Sequence, residues 1–139
     1  MAQRAWPSLA ALTPEAKTAL GGAAVEIDVF PFRVGRDRRS PPRATPPPVG
    51  ERRKPGTQPT NELYLTESGE RVHVSREHFQ IQHNGMGYVL VDRRSTCGTI
   101  VEGAVIGRAK AGGEVHLSDG DVIIVGTSQS PYVFKFCAR

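Results

Sequence analysis

The chain has 139 residues, with 18 Lys plus Arg against 14 Asp plus Glu and 38% hydrophobic residues. This length suits one domain that buries a core without metal or disulfide staples, and two cysteines are too few for a disulfide scaffold. No stretch approaches the roughly 18 consecutive apolar residues of a membrane helix, and Glu15, Lys17, Glu26 and Asp28 interrupt the apolar residues of the amino-terminal part, so neither a membrane span nor a signal peptide is expected and a cytoplasmic setting is the default.

In chain order, residues 1–23 read as an N-terminal extension carrying one short helix. Thr13 suits the N-cap, Pro14 the first helical position and Gly21 the stop. From Ala24 the apolar period changes to two: Val25, Ile27 and Val29 alternate with Glu26 and Asp28, and Phe32 and Val34 continue after Pro31 to end at Gly35-Arg36. Residues 37–60 are rich in Pro and Arg, with Val49 the only sizeable apolar side chain. Such a segment cannot bury enough surface to offset the entropy of ordering it, and an exposed loop with polyproline II character at Pro46-Pro47-Pro48 is expected.

Alternation returns at Asn61, with Leu63 and Leu65 around Tyr64. Glu67-Ser68-Gly69-Glu70 reads as a turn, and Val72 and Val74 flank His73. Phe79 and Ile81 start a strand that ends in the tight-turn pair Asn84-Gly85. Tyr88 to Val91 reads as a buried strand, followed by a polar loop at 92–98. Thr99-Ile100-Val101 turns at Glu102-Gly103 into Ala104-Val105-Ile106, and Gly112-Gly113 breaks the chain. Val115 to Leu117, the turn at 118–121, Val122 to Val125 and Tyr132 to Phe136 complete the pattern. Many short strands separated by turns, without a βαβ rhythm, predict an all-β fold, a two-sheet antiparallel sandwich over residues 24–139.

Function in a sandwich concentrates in the loops at one end of the sheets. Arg36, Ser75, Arg76 and Thr96 all fall at strand ends or in loops. They are the residue types a phosphate needs: a planar guanidinium fork and hydroxyl donors converging on the oxygens. No Gly-rich loop precedes a helix and no nucleophile elbow is present, so no catalytic residue is assigned. Asp119 and Asp121 flank Gly120 as turn formers. His73 and His78 are spaced for no metal site, and no metal or cofactor is expected.

Five stretches taken together resemble the forkhead-associated (FHA) domain, a module that binds phosphothreonine peptides. They are Phe32-Arg33-Val34-Gly35-Arg36, Asn61-Glu62-Leu63-Tyr64-Leu65, Ser75-Arg76-Glu77-His78, Ser95-Thr96-Cys97-Gly98-Thr99 and Leu117 through Gly126. The resemblance spans roughly residues 24–136. It implies a sandwich of the FHA/SMAD-like type, with Arg36, Ser75 and Arg76 holding the phosphate and Thr96 assisting. It also implies structural roles for Gly35, His78, Gly98 and Gly103, and a phosphothreonine-containing protein segment as partner; from the sequence itself no membrane is expected and nucleic acid is a disfavoured partner.

Three departures from the family pattern stand out. Cys97 occupies the usual asparagine position, whose amide grips the ligand main chain, and a thiol is a poor donor and acceptor. Glu102 replaces a second asparagine and is expected to add negative charge near the recognition edge. The 37–60 segment is an insertion of about twenty residues, a length uncommon unless functional or disordered. A degenerate domain that binds an unphosphorylated partner is therefore the alternative, and association of the basic loop with nucleic acid ranks third, since it lacks interleaved aromatics for stacking.

Overall fold

The computed structural model describes residues 6–36, 61–65, 73–85 and 87–138. The Pro/Arg-rich insertion at 37–60 and the turn expected at Glu67–Glu70 lie outside the described residues. Among the described residues, eleven strands and one α-helix occur in the order β1 (Ser8–Ala11), α1 (Pro14–Leu20), β2 (Ala24–Glu26), β3 (Phe32–Arg36), β4 (Leu63–Leu65), β5 (Phe79–Asn84), β6 (Gly87–Asp92), β7 (Thr99–Val101), β8 (Ala104–Ile106), β9 (Gly113–Leu117), β10 (Val122–Val125) and β11 (Val133–Cys137). They form a six-stranded sheet ordered β2-β1-β11-β10-β7-β8 and a five-stranded sheet ordered β4-β3-β5-β6-β9.

The period-two pattern explains which face each strand buries. In β5, Phe79 and Ile81 are fully buried while Gln80 between them is not, and in β11 Phe134 and Phe136 are buried around exposed Lys135. These side chains meet Leu9, Val34, Leu90 and Ile123 between the sheets. Each buried aliphatic or aromatic side chain contributes about 1.5–3 kcal/mol. Strand β6, expected to be buried throughout, is half-buried in alternation, with Leu90 and Asp92 facing inward.

Two features differ from the sequence expectation. Ser8–Ala11, placed in the N-terminal extension, pairs with β2 on one side and β11 on the other, Leu9 opposite Val25 and Phe136. Its one large apolar residue, Leu9, is too little to mark a strand by periodicity. It is the hydrogen bonds available on both edges that hold the segment extended. The second difference is that one pair in the otherwise antiparallel sandwich is parallel, β3 with β4, Val34 opposite Leu63. A parallel pair requires a crossover that returns the chain to its starting end, usually a dozen residues or more, and the 37–60 insertion supplies that length.

Helix α1 starts where Thr13 accepts a hydrogen bond from the Ala16 N–H at 3.2 Å, with Pro14 in its first turn, and it stops at Gly21 with φ 74°. The Thr13 hydroxyl also donates to the Pro131 carbonyl, which ties the helix to the connection before β11.

The strand directions collect the connections into two sets. β3, β6, β8 and β10 end, and β5, β7, β9 and β11 begin, at one rim, which carries 73–78, 93–98, 107–112 and 126–132. The turn at Gly85 and those at 102–103 and 118–121 lie at the other end. No helix among the described residues is long and apolar enough to cross a membrane.

Candidate functional site

The rim is organised around His78, which is fully buried. Its Nδ1 accepts the Ser75 N–H at 3.0 Å, so the proton of the neutral ring lies on Nε2, which faces the Gly98 carbonyl at 2.7 Å. Its own N–H donates to the Val34 carbonyl at 3.0 Å, and the Arg36 N–H donates to the Ser75 carbonyl at 2.9 Å. The imidazole thus joins the 73–78 loop to the 93–98 loop, and backbone hydrogen bonds join the 73–78 loop to the end of β3. With both nitrogens engaged, it is not available as a proton donor or ligand.

Gly35 allows the loop to close on β3. A β-carbon there would stand 1.9 Å from the Arg76 carbonyl oxygen and 2.7 Å from Asn61 Nδ2. The Asn61 amide donates to that same Arg76 carbonyl at 2.8 Å, and its Oδ1 accepts from Arg93 Nη1 at 3.0 Å. Arg93 Nη2 also pairs with Glu77 at 3.2 Å. The backbone that carries Arg76 is therefore held from three directions.

The 93–98 loop is shaped from below by Asp92, which is 2% exposed. Its carboxylate accepts from the Ser95 N–H at 2.8 Å, the Ser95 hydroxyl at 2.6 Å and the Thr99 hydroxyl at 2.8 Å. Ser95 Oγ in turn accepts the Gly98 N–H at 3.0 Å. Gly98 itself has φ 83°, in the left-handed region that favours glycine. Across the gap between the two loops, the exposed Thr96 donates its N–H to Ser75 Oγ at 3.0 Å, leaving the Ser75 hydroxyl proton uncommitted by that contact.

Arg36, Ser75, Arg76, Thr96 and half-buried Cys97 thus gather at one rim. Arg76 and Thr96 are exposed, Arg36 and Ser75 half-buried. Arg36 and Arg76 form no ion pair with any described residue, and Cys97 is not in a disulfide. Two guanidinium groups without an ion-pair partner among the described residues, beside a hydroxyl donor, are the chemistry that suits a dianion.

Gly103 is not part of this rim. With Glu102 (φ 50°) and Gly103 (φ 84°) both left-handed, the β7–β8 turn sits at the opposite end of β7. The charge expected near the recognition edge is consequently elsewhere. Glu102 accepts the Val122 N–H at 2.7 Å and donates its own N–H to the Val122 carbonyl at 3.0 Å, which stitches the hairpin to β10.

Sequence reasoning did not single out Asn61, Asp92, Ser95 or Arg93 as parts of the site. A polar residue at the start of a strand (Asn61) and an Asp followed three residues later by Ser (Asp92, Ser95) are ordinary turn chemistry. Only the fold brings Arg93 to Asn61.

A family model described as the FHA domain matches residues 32–126. No curated protein sequence matches closely enough to count as a relative. Among solved structures, the chain is similar to the EmbR protein of Mycobacterium tuberculosis in complex with a low-affinity phosphopeptide, at 24% identity and a TM-score of 0.59, covering 99% of this chain and 26% of that one. It is also similar to an FHA domain from Chlamydia trachomatis, at 20% identity and a TM-score of 0.60, covering 97% of this chain and 99% of the other. A third is the kinase-interacting FHA domain of a kinase-associated protein phosphatase from Arabidopsis, at 24% identity and a TM-score of 0.56, covering 96% and 95%. This chain therefore spans about a quarter of the length of EmbR but nearly all of the two isolated domains.

Proposed function

This chain belongs to the FHA domain family, and from that premise we propose that it is a non-enzymatic interaction module whose rim binds a phosphothreonine-containing segment of a partner protein. The observation that carries the reading is the meeting of Arg36, Ser75, Arg76 and Thr96 at one rim, where the Thr96 N–H reaches Ser75 Oγ at 3.0 Å. In this reading Arg36 and Arg76 supply the cations, the Ser75 hydroxyl donates to a phosphate oxygen, and Thr96 lines the pocket. Gly35, His78 and Gly98 hold the end of β3 and the 73–78 and 93–98 loops at the required separation. A neighbour solved with a phosphopeptide supports it. A cytoplasmic setting, expected from the sequence, belongs to the same proposal.

Cys97 motivates a second reading. A thiol cannot replace an amide as a paired donor and acceptor for a peptide main chain. A phosphate-holding half without a peptide-orienting half would bind weakly, or would serve a partner that carries no phosphate. The two readings separate in one experiment, a fluorescence-anisotropy titration with phosphothreonine peptides from an oriented library and with their unphosphorylated counterparts. Phosphate-dependent binding is expected. Arg36→Ala should weaken it at least tenfold, and Cys97→Asn should tighten it by about tenfold, as expected for gain or loss of a charge-assisted or paired hydrogen bond. Equal binding of both peptide forms would contradict the phosphothreonine reading and favour the second.

A further inference from the structure

The β8–β9 connection, 107–112, lies directly beside the Thr96–Gly98 stretch. Its ends are bridged, Gly107 to Gly112, and Gly107, Ala109 and Gly112 all have left-handed φ, at 75°, 61° and 76°. It is seated from below and from the side. The Ala109 N–H donates to the Thr96 carbonyl at 2.9 Å, and a β-carbon on Gly107 would stand 2.4 Å from the Asp92 carboxylate. A β-carbon on Gly98 would lie 3.3 Å from the Arg108 Cα, so the Arg108 backbone abuts the recognition loop. A β-carbon on Gly112 would lie 3.5 Å from Arg94 Cγ, so the Arg94 stem runs along the other end of the same turn.

Two exposed arginines therefore flank one turn beside Cys97. Neither forms an ion pair with a described residue. Among the described residues, the nearby acids are engaged or face elsewhere: Asp92 is consumed by Ser95 and Thr99, and Glu77 by Arg93. Glu114 stands opposite Val91, on the sheet face away from inward-facing Asp92. Arg94 is itself held at φ 64°, a conformation unfavourable for a side chain of this kind.

We propose that Arg94 and Arg108 form a second anion-reading element, which selects phosphothreonine segments carrying a further anionic side chain, a carboxylate or a second phosphorylated residue, next to the phosphothreonine. This rests on the phosphothreonine reading above and deepens it. The added charge contact supplies on the Cys97 side an anchor that the thiol does not.

The test uses the whole chain and three sets of synthetic peptides: a phosphothreonine peptide with neutral flanks, the same peptide with Asp at each flanking position in turn, and the same with phosphoserine there. Two partly exposed charge contacts give about a fivefold advantage for the best anionic peptide over the neutral one. In the Arg94→Gln/Arg108→Gln variant that advantage should disappear while affinity for the neutral phosphothreonine peptide stays unchanged. Comparison of the Asp and phosphoserine sets identifies the source of the anion. The single variants Arg94→Gln and Arg108→Gln give the same readout should the double variant fail to fold. An advantage that persists in the variants, or a wild type indifferent to flanking charge while still binding the neutral phosphothreonine peptide, overturns the proposal and leaves the phosphothreonine reading intact. If no phosphothreonine peptide binds better than its unphosphorylated form, both fall together.

Discussion

Gly35 and Arg36 are neighbours with opposite requirements. Arg36 needs its side chain at the rim, and Gly35 must have none, because the Arg76 carbonyl occupies the space of a β-carbon. The obstruction is backbone on a loop pinned by Asn61 and His78, so it cannot swing aside as a flexible side chain would. Gly35→Ala is expected to lower stability by about 3 kcal/mol or more, in the range of overpacked core substitutions, read as a drop in the urea midpoint. An unchanged midpoint would mean that the 73–78 loop is free to move. Gly35 and His78 were both legible in the sequence, because their roles go with a local motif. Asn61 and Arg93 were not. Their pairing joins residues 32 positions apart, and nothing in either local sequence indicates the other.

Strands were readable where apolar alternation ran through at least two large side chains, as at Phe79 and Ile81 or Phe134 and Phe136. β1 was not, since Leu9 stands alone among small and polar residues. The parallel pairing of β3 with β4 was hidden as well, because direction depends on the path of the insertion rather than on the strand residues. One charged pair pins this join. Glu62 accepts from the Arg33 N–H at 2.7 Å, from Arg33 Nε at 2.8 Å and from Nη2 at 2.5 Å, while its own N–H donates to the Arg33 carbonyl at 2.8 Å. The hydrogen bonds from the Arg33 side chain hold the Glu62 carboxyl below the usual carboxylate range, against an opposing contribution from burial. A group whose folded pKa is depressed stabilises the fold above its unfolded pKa of about 4.3 and loses that contribution as pH falls through the folded value. Glu62→Gln should therefore cost about 1 kcal/mol at neutral pH, a modest figure because the pair is partly exposed. The difference from wild type should shrink as pH falls through the lowered Glu62 pKa, where the carboxyl becomes neutral like the glutamine amide while Arg33 keeps its charge. Thermal unfolding of both proteins across pH gives this comparison, and a pH-independent difference would show that the pair acts through packing.

At the scale of the whole molecule, the fold sorts motif residues by which end of a strand they occupy. Residues 95–99 and 102–103 are close in sequence, and the sequence reading treated Glu102 as a neighbour of the recognition edge. Strand β7 separates them, and Glu102 becomes a clamp on Val122 at the opposite end. The sandwich class was foreseeable from turn chemistry and alternation, whereas the meeting of Arg36, Ser75, Arg76 and Thr96 was implied only by the family resemblance. Which end each turn occupies follows only from the strand directions. The most direct test of the central claim, that this rim is an anion-binding site, is a titration of the labelled chain with a phosphothreonine peptide, followed by the NMR shifts of its backbone amides. The account predicts changes concentrated at Arg36, Ser75, Arg76 and Thr96, with the turns at Glu102–Gly103 and 118–121 unmoved. Shifts centred on those opposite-end turns, or the same shifts with the unphosphorylated peptide, would contradict it.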